Sequence, residues 1–353
     1  YMFIMMNAAR YAVGVQGVAI AERAYQKAVQ YARDRVQSRP VDGSLPKAGP
    51  IIHHPDVRRM LMTMRAFTEG CRAMASVAAA AYDASHHHPD PKVRQDNQVF
   101  YEFLVPLVKG YSTEMSLEVT SLGVQVHGGM GFIEETGAAQ YYRDAKILTI
   151  YEGTTAIQAN DLVGRKTARD GGQSAKAIAA QIAKTESELM AQSSPDAKAI
   201  AKRLQSAREA FVDVVGFIAE QSKANPNAAF AGSVPYLMLA GNLMAGWQLG
   251  RAALVALSKE AQAQDADFMA AKIREEAGTH GIHLFPAPEL ARALYFTTEA
   301  EHPIPEALYH AVAQVIAYVF SLNDAFSGRQ RYVKPNPDIP ENMRFDENGF
   351  LPS

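Results

Sequence analysis

The chain has 353 residues, 48% of them hydrophobic and 20% charged, the balance expected of a soluble globular protein. Lys and Arg number 35 against 37 Asp and Glu, a formal charge of −2 that removes the electrostatic ground for expecting a nucleic-acid partner. Cys71 is the single cysteine, which excludes an internal disulfide and favours a reducing compartment.

The chain opens on Tyr1 and apolar helical sequence follows almost at once, with no signal- or transit-peptide pattern; this opening is expected of a piece cut from something longer. Tyr11, Val15, Val18, Tyr25, Val29 and Ala32 recur at helical spacing and predict one buried face of a long first helix. It ends before Pro40 and a loop rich in Gly and Pro. A second helix follows His54-Pro55-Asp56 and runs to about Ala84, with Pro55 suited to its first turn. On it, Met60 and Met64 share a face that reads as core, and Cys71 reads as an inert buried thiol. His86-His87-His88 closes this helix and reads as an exposed terminus rather than a metal site, because consecutive side chains diverge around a helix end.

A third helix is expected over about Lys92–Leu122. After it come a glycine-rich connector, Gly123–Gly131, and shorter helices near Ala138–Ile147 and Thr155–Thr167. Arg169-Asp170-Gly171-Gly172 marks a composition shift, read as the boundary between a first domain, 1–168, and a second, 169–327. Beyond it Ile200, Leu204, Ala207, Phe211, Val214 and Ile218 form a bundle-helix stripe. No charge lies between Lys223 and Arg251, yet Pro226, Pro235, Asn242 and Gln248 interrupt the stretch. A buried helix fits better than a transmembrane segment, which wants about 20 mostly apolar residues. Within it Gly241, Ala245, Gly246 and Gly250 would admit a second helix at close range, and Trp247 reads as an anchor between helices. Further helices are expected near Ala266–Ala277, Ala287–Thr297 and Pro305–Asn323, then an extended tail, 328–353. No βαβ alternation occurs, so the fold class is all-α: two helical bundles.

One segment stands apart for chemistry, Ile147-Leu148-Thr149-Ile150-Tyr151-Glu152-Gly153-Thr154-Thr155. A single carboxylate follows an apolar run and precedes a glycine, which lets backbone approach a ligand. Partial desolvation would raise its pKa and suit it to abstract a proton from carbon beside a carbonyl. Taken alone, the local sequence favours the plainer role in which Glu152 caps the helix starting near Thr155. Upstream, Gln125-Val126-His127-Gly128-Gly129-Met130-Gly131 lacks both the spacing of a dinucleotide fingerprint and the Lys of a P-loop. Alone it is a turn between helices, with His127 structural.

Together these segments are more specific. Gln125-x-His127-Gly128-Gly129-x-Gly131, Tyr142-Arg143-Asp144-Ala145-Lys146 and Tyr151-Glu152-Gly153-Thr154, with Asn7-x-x-Arg10 and Tyr31-Ala32-x-x-Arg35 on the first helix, resemble the C-terminal signature of acyl-CoA dehydrogenases over about residues 2–167. The second half resembles the helical domain appended to the longer members. Family members place a helical domain and a β-domain upstream, so the resemblance implies that the complete protein is the enzyme and that this piece alone is inactive.

The resemblance further implies FAD as cofactor, an acyl-CoA thioester as substrate, an electron-transfer flavoprotein as acceptor and a homo-oligomer, most simply a dimer, in the cytoplasm or the mitochondrial matrix. Glu152 matches the catalytic base and its backbone N–H a donor to the thioester oxygen. Gly153, Asn7 and Arg10 match substrate contacts. Arg35 matches a guanidinium on the flavin pyrophosphate across the subunit interface, a fork that lysine would not reproduce. Gln125, Gly128 and Gly129 match the loop that meets the same dinucleotide from the neighbouring subunit, and Thr154 matches a further flavin contact. Two flavin positions depart from the pattern: Gln37 stands where a small hydroxyl residue is common, and Ala156 offers only backbone. The same residues also admit an acyl-CoA oxidase, with dioxygen as acceptor, or a non-catalytic helical scaffold.

Overall fold

In the computed structural model, which describes residues 2–263, 288–297, 305–308, 310–314, 337, 339–344 and 351, helix α1 (Met2–Asp34) turns a stripe of small residues inward. Gly14, Gly17, Ala21, Ala24, Ala28 and Ala32 are buried, while Val15 is 40% exposed and Tyr11, Tyr25 and Val29 are only partly covered. The expected face is therefore rotated toward small side chains. The reason is close approach of backbones: a Cβ on Gly14 would sit 2.3 Å from the Val108 carbonyl oxygen and one on Gly17 3.1 Å from that of Ser112.

Helix α2 (Pro55–His87) packs beside it, with Met60, Met64, Cys71 and Met74 inward. Burial pushes the Cys71 thiol up to about 12, as expected of an inert core thiol. The third helix is longer than expected and not uniform: α3 (Pro91–Pro106) passes through a π turn (Leu107–Tyr111) into α4 (Ser112–His127). Pro106 has no N–H for the ladder, and a widened turn follows it. Helices α5 (Gly129–Phe132), α6 (Ala138–Leu148) and α7 (Thr155–Asp161) follow, the last running into a second π turn (Leu162–Ala168).

Helices α8 (Gln173–Met190), α9 (Pro195–Ala224), α10 (Pro226–Ala231) and α11 (Ser233–Ala263) complete a unit spanning Tyr1–Ser258. On α9 Leu204, Phe211 and Ile218 are buried as the stripe predicts; Ala201 and Val215 join them, and Ile200, Ala207 and Val214 lie at the margin. The seam at 169 does not separate two cores. Phe103, Leu107 and Leu162 share one apolar cluster with Ile178, Ile182, Phe211, Tyr236, Leu243 and Trp247. Glycine lets α11 close on its neighbours as its spacing suggested: the Tyr111 ring lies where a Gly241 Cβ would be, its hydroxyl donates to Asn242 Oδ1 at 2.7 Å, and Gly70 faces Ala245. Trp247 donates to Thr185 Oγ1 at 2.8 Å, beneath the Arg251 guanidinium.

A second unit, Lys259–Ser353, has a small cluster of Leu290, Ala293, Leu308, Ala311 and Ile339 around the helix Pro288–Thr297. The helix expected at Ala266–Ala277 and most of the tail lie outside the described residues. Among the described residues there is no strand, only an isolated bridge between Val36 and Pro50, and no helix long and apolar enough to cross a membrane.

Candidate active site

The turn between α6 and α7, residues 149–154, carries the sequence-selected carboxylate. The Thr155 N–H donates to the Thr149 carbonyl at 3.1 Å and closes the turn. Inside it two successive residues adopt left-handed backbone, Glu152 at φ 54° and Gly153 at φ 89°. A glycine takes that conformation freely, whereas for Glu it costs roughly 1–2 kcal/mol, the crowding of Cβ against the following carbonyl. Gly153 is further required by space, since a Cβ there would lie 2.8 Å from Gln158 Nε2 and 3.3 Å from Ile157 Cγ2.

Four donor side chains hold this conformation. The Lys109 ammonium, from the π turn, donates to the Leu148 carbonyl at 2.8 Å and the Gly153 carbonyl at 2.6 Å. Gln158 Nε2 reaches the carbonyls of Glu152 and Gly153 at 3.4 and 3.3 Å. Tyr151 donates its hydroxyl to Gln16 on α1, and Thr155 donates to Glu114 on α4. Lys109 and Gln158 are both fully buried. Desolvation lowers the Lys109 pKa to about 8, opposed by the Glu114 and Glu152 charges and assisted by Arg10. Its contact with Leu148 also places a cation at the C-terminus of α6, where the helix dipole favours it.

The capping role open to Glu152 is taken by Thr154, whose Oγ1 accepts the Ile157 N–H at 3.4 Å. The Glu152 side chain itself is exposed. The desolvation expected from the apolar run does not materialise within this chain because Ile147 and Ile150 are themselves 51% and 49% exposed and form no wall over it. Ala156 is exposed on the first turn of α7.

On the far side of α7, Arg10 is buried and donates to Asp161 Oδ2 at 2.8 Å, while Asp161 Oδ1 accepts from Arg165 at 2.5 Å. Among the described residues Arg10 Nε is buried without a hydrogen-bond partner. Arg10 and half-buried Asn7 line a cleft of about 520 Å³ with Arg165, Lys166 and Arg169. Sequence reasoning missed Lys109, Gln158 and Asp161. Lys109 did leave a signal: it is a lone charge in the apolar run Phe103-Leu104-Val105-Pro106-Leu107-Val108.

The remaining residues gather elsewhere along α1. Arg35, Gln37, Gln125, Gly128 and Gly129 are exposed. His127 stacks on Tyr31 with ring centroids 4.3 Å apart and bonds the Gly123 carbonyl at 2.7 Å, so the glycine turn sits beside the last turn of α1 and His127 is structural. Gln37 is tied through its backbone to Gly49 and His54. Gly128 has φ 60° and ψ −141°, and a Cβ at Gly128 or Gly129 would meet nothing within 4 Å. From Gln16, beside Tyr151, to Arg35 the helix rises about 28 Å at 1.5 Å per residue. One chain thus presents two separated sets: the Glu152 turn at one level and the arginine–glycine cradle at another. Arg143, from the Tyr142–Lys146 motif, pairs with Glu134 through both terminal nitrogens at 2.9 and 2.6 Å and braces the entry to α6. His86 and His87 are exposed, and no metal-binding group occurs among the described residues.

Residues 2–166 match the family model "Acyl-CoA dehydrogenase, C-terminal domain", and residues 175–275 match "Acetyl-CoA dehydrogenase C-terminal like". A model of the FlhB HrpN YscU SpaS family matches 261–319, largely outside the described residues. The chain is 61% identical over 273 residues to 3-methylmercaptopropionyl-CoA dehydrogenase of Ruegeria pomeroyi, covering 77% of this chain and 46% of that protein. It is 35% identical over 278 residues to the broad-specificity linear acyl-CoA dehydrogenase FadE5 of Mycobacterium tuberculosis, covering 73% and 43%. The chain therefore spans about half the length of these two curated relatives. Its fold is shared with an acyl-CoA dehydrogenase complexed with FAD from Bacillus anthracis, at TM-score 0.56 and 23% identity over 71% of this chain and 43% of the other.

Proposed function

The chain belongs to the acyl-CoA dehydrogenase family, and from that premise we propose that it is the Glu152-bearing part of an enzyme that oxidises an acyl-CoA thioester between its α and β carbons. The observation that carries this reading is the turn at 152–153. A carboxylate is held in a conformation costly for its residue type, on a rigid clamp of buried polar groups, with its side chain free to meet a ligand. Strain of this kind concentrates at functional sites.

In this reading the Glu152 carboxylate takes the α-proton of the substrate. Its backbone N–H donates to the thioester oxygen, which stabilises the enolate character that develops as the proton leaves. Bound FAD would accept the β-hydrogen as hydride and pass electrons to an electron-transfer flavoprotein. The residues present fit such a dinucleotide. Gly128 and Gly129 leave open the space that side chains would fill, and Arg35 is an exposed guanidinium with no ion pair among the described residues. Arg35, Gln37, Gln125, Gly128 and Gly129 would hold the pyrophosphate end, with Thr154 and Ala156 near the other. The rise of about 28 Å along α1 between the two sets supports assembly of each site from two chains, hence a homodimer. The exposure of Met130, Phe132 and Ile133 beside the cradle supports a partner copy there. Asn7 and Gly153 are proposed to meet substrate; Arg10, engaged with Asp161, is proposed to contribute to its cleft through charge. The junction at 169 is read as the meeting of two sequence modules that share one core.

The test is anaerobic titration of the full-length protein with a panel of acyl-CoA thioesters. Wild type should bleach the flavin band, and Glu152→Gln should retain flavin yet fail to bleach. Ordinary bleaching by the variant would place the base elsewhere. Hydrogen peroxide formed in air at the turnover rate would mark an oxidase instead.

A further inference from the structure

Lys109 is a completely buried cation whose two hydrogen bonds go to main-chain carbonyls on either side of Glu152. Leu148 is the last residue of α6 and Gly153 immediately follows the carboxylate, so one ammonium spans the turn from its entry to its exit. Burying a cation is costly unless polar groups surround it, and here those groups are carbonyls that the turn directs inward. A capping role at α6 alone would need only the Leu148 contact. The shorter bond, 2.6 Å, is instead made to Gly153, whose carbonyl points toward Lys109 because Glu152 and Gly153 are both left-handed. The π turn that carries Lys109 also holds Gly110, where a Cβ would meet Gln158 Cβ at 3.0 Å. Lys109 and Gln158, which shares the Gly153 carbonyl and also reaches that of Glu152, are thereby packed as one support.

We infer that Lys109 is a positioning residue for Glu152: by tethering the Leu148 and Gly153 carbonyls it fixes the strained turn and hence where the carboxylate stands. It does not touch the substrate and moves no proton. The inference rests on reading Glu152 as the base, and its test separates the two.

Lys109→Met keeps length and apolar bulk and removes both bonds. In this chain, amide hydrogen exchange should then accelerate at least tenfold at residues 149–155, while the buried face of α9 stays protected. That readout involves no cofactor. In the full-length enzyme kcat per bound flavin should fall about 100-fold, the loss expected when a reacting group is misplaced by about 1 Å. KM and flavin occupancy should stay within about threefold of wild type, a margin of about 0.65 kcal/mol. The isotope effect for substrate deuterated at the α carbon should rise, because proton removal becomes slower than every other step. Lys109→Gln, which retains donors for one carbonyl, should fall between the two. A lysine that only stabilised the fold would lower occupancy and leave both kcat per flavin and the isotope effect unchanged.

Unaltered exchange at 149–155, or kcat per flavin within threefold of wild type in either folded variant, would overturn the inference. Should Lys109→Met fail to fold, Lys109→Gln decides by the same measurements. Full activity in Glu152→Gln would remove the premise instead, and would leave the exchange result standing as a statement about the turn.

Discussion

Replacing Glu152 by glycine should make the protein more stable and catalytically dead. The left-handed backbone at φ 54° costs a residue with a Cβ roughly 1–2 kcal/mol, and glycine does not pay it. Against that, glycine loses more backbone freedom on folding, about 0.4–1 kcal/mol. The Glu152 side chain is exposed, so little packing is forfeited. The net expectation is a gain of about 0.5–1 kcal/mol. For a cooperative unit of the size of residues 1–258 that is a rise in melting temperature of about 1–4 °C. Glu152→Ala is the control: it deletes the same carboxylate but keeps the Cβ, and its stability should lie within about 0.5 kcal/mol of wild type. Circular dichroism in urea on this chain reads the stability, and anaerobic flavin bleaching in the full-length protein reads the chemistry. A glycine variant less stable than the alanine one would show that the turn carries no strain. Backbone strain would then not mark this turn as the site.

Arg35→Ala should lose flavin on extensive dialysis, since an exposed guanidinium at the glycine cradle is removed; unchanged occupancy would count against that role. Asp161→Asn should cost about 3–5 kcal/mol in urea denaturation because it leaves Arg10 buried and unpaired, and adding Arg10→Met should recover much of the loss. A loss below about 1 kcal/mol would mean that the pair is solvated. Lys109 should give stability a pH dependence. Its folded pKa of about 8 lies below the ordinary 10.5, so above pH 8 the unfolded chain binds more protons and stability rises with pH, by up to about 1.4 kcal/mol per unit. The contribution is complete above the unfolded pKa and disappears as pH falls through 8. It should appear between pH 8 and 9 as a rise in the stability of wild type relative to Lys109→Met, a difference in which the buried Cys71 thiol, common to both, cancels. A gap constant across that interval would contradict the burial of the charge.

Helical periodicity made the all-α class legible, together with the Leu204–Phe211–Ile218 stripe and the extents of α1 and α2, because those signals need only local spacing. The motif residues proposed for the site, Glu152, Gly128, Gly129 and Arg35, could be singled out because residue types at fixed intervals survive without coordinates. Other features were decided by contacts between residues far apart in sequence. Backbone proximity of α1 to the Val108–Ser112 turn selected Gly14, Ala21 and Ala28 over Val15 for the buried face. The core crossed the seam at 169 because α8, α9 and α11 close on α3. Glu152 stood in water because its isoleucine neighbours also turned outward. Lys109, Gln158 and Asp161 entered the site only through tertiary structure, since each acts on a partner whose position the turn and the helix packing set. Patterning is a property of one segment at a time, whereas a buried charge is assigned its role by the carbonyls and carboxylates that folding brings around it.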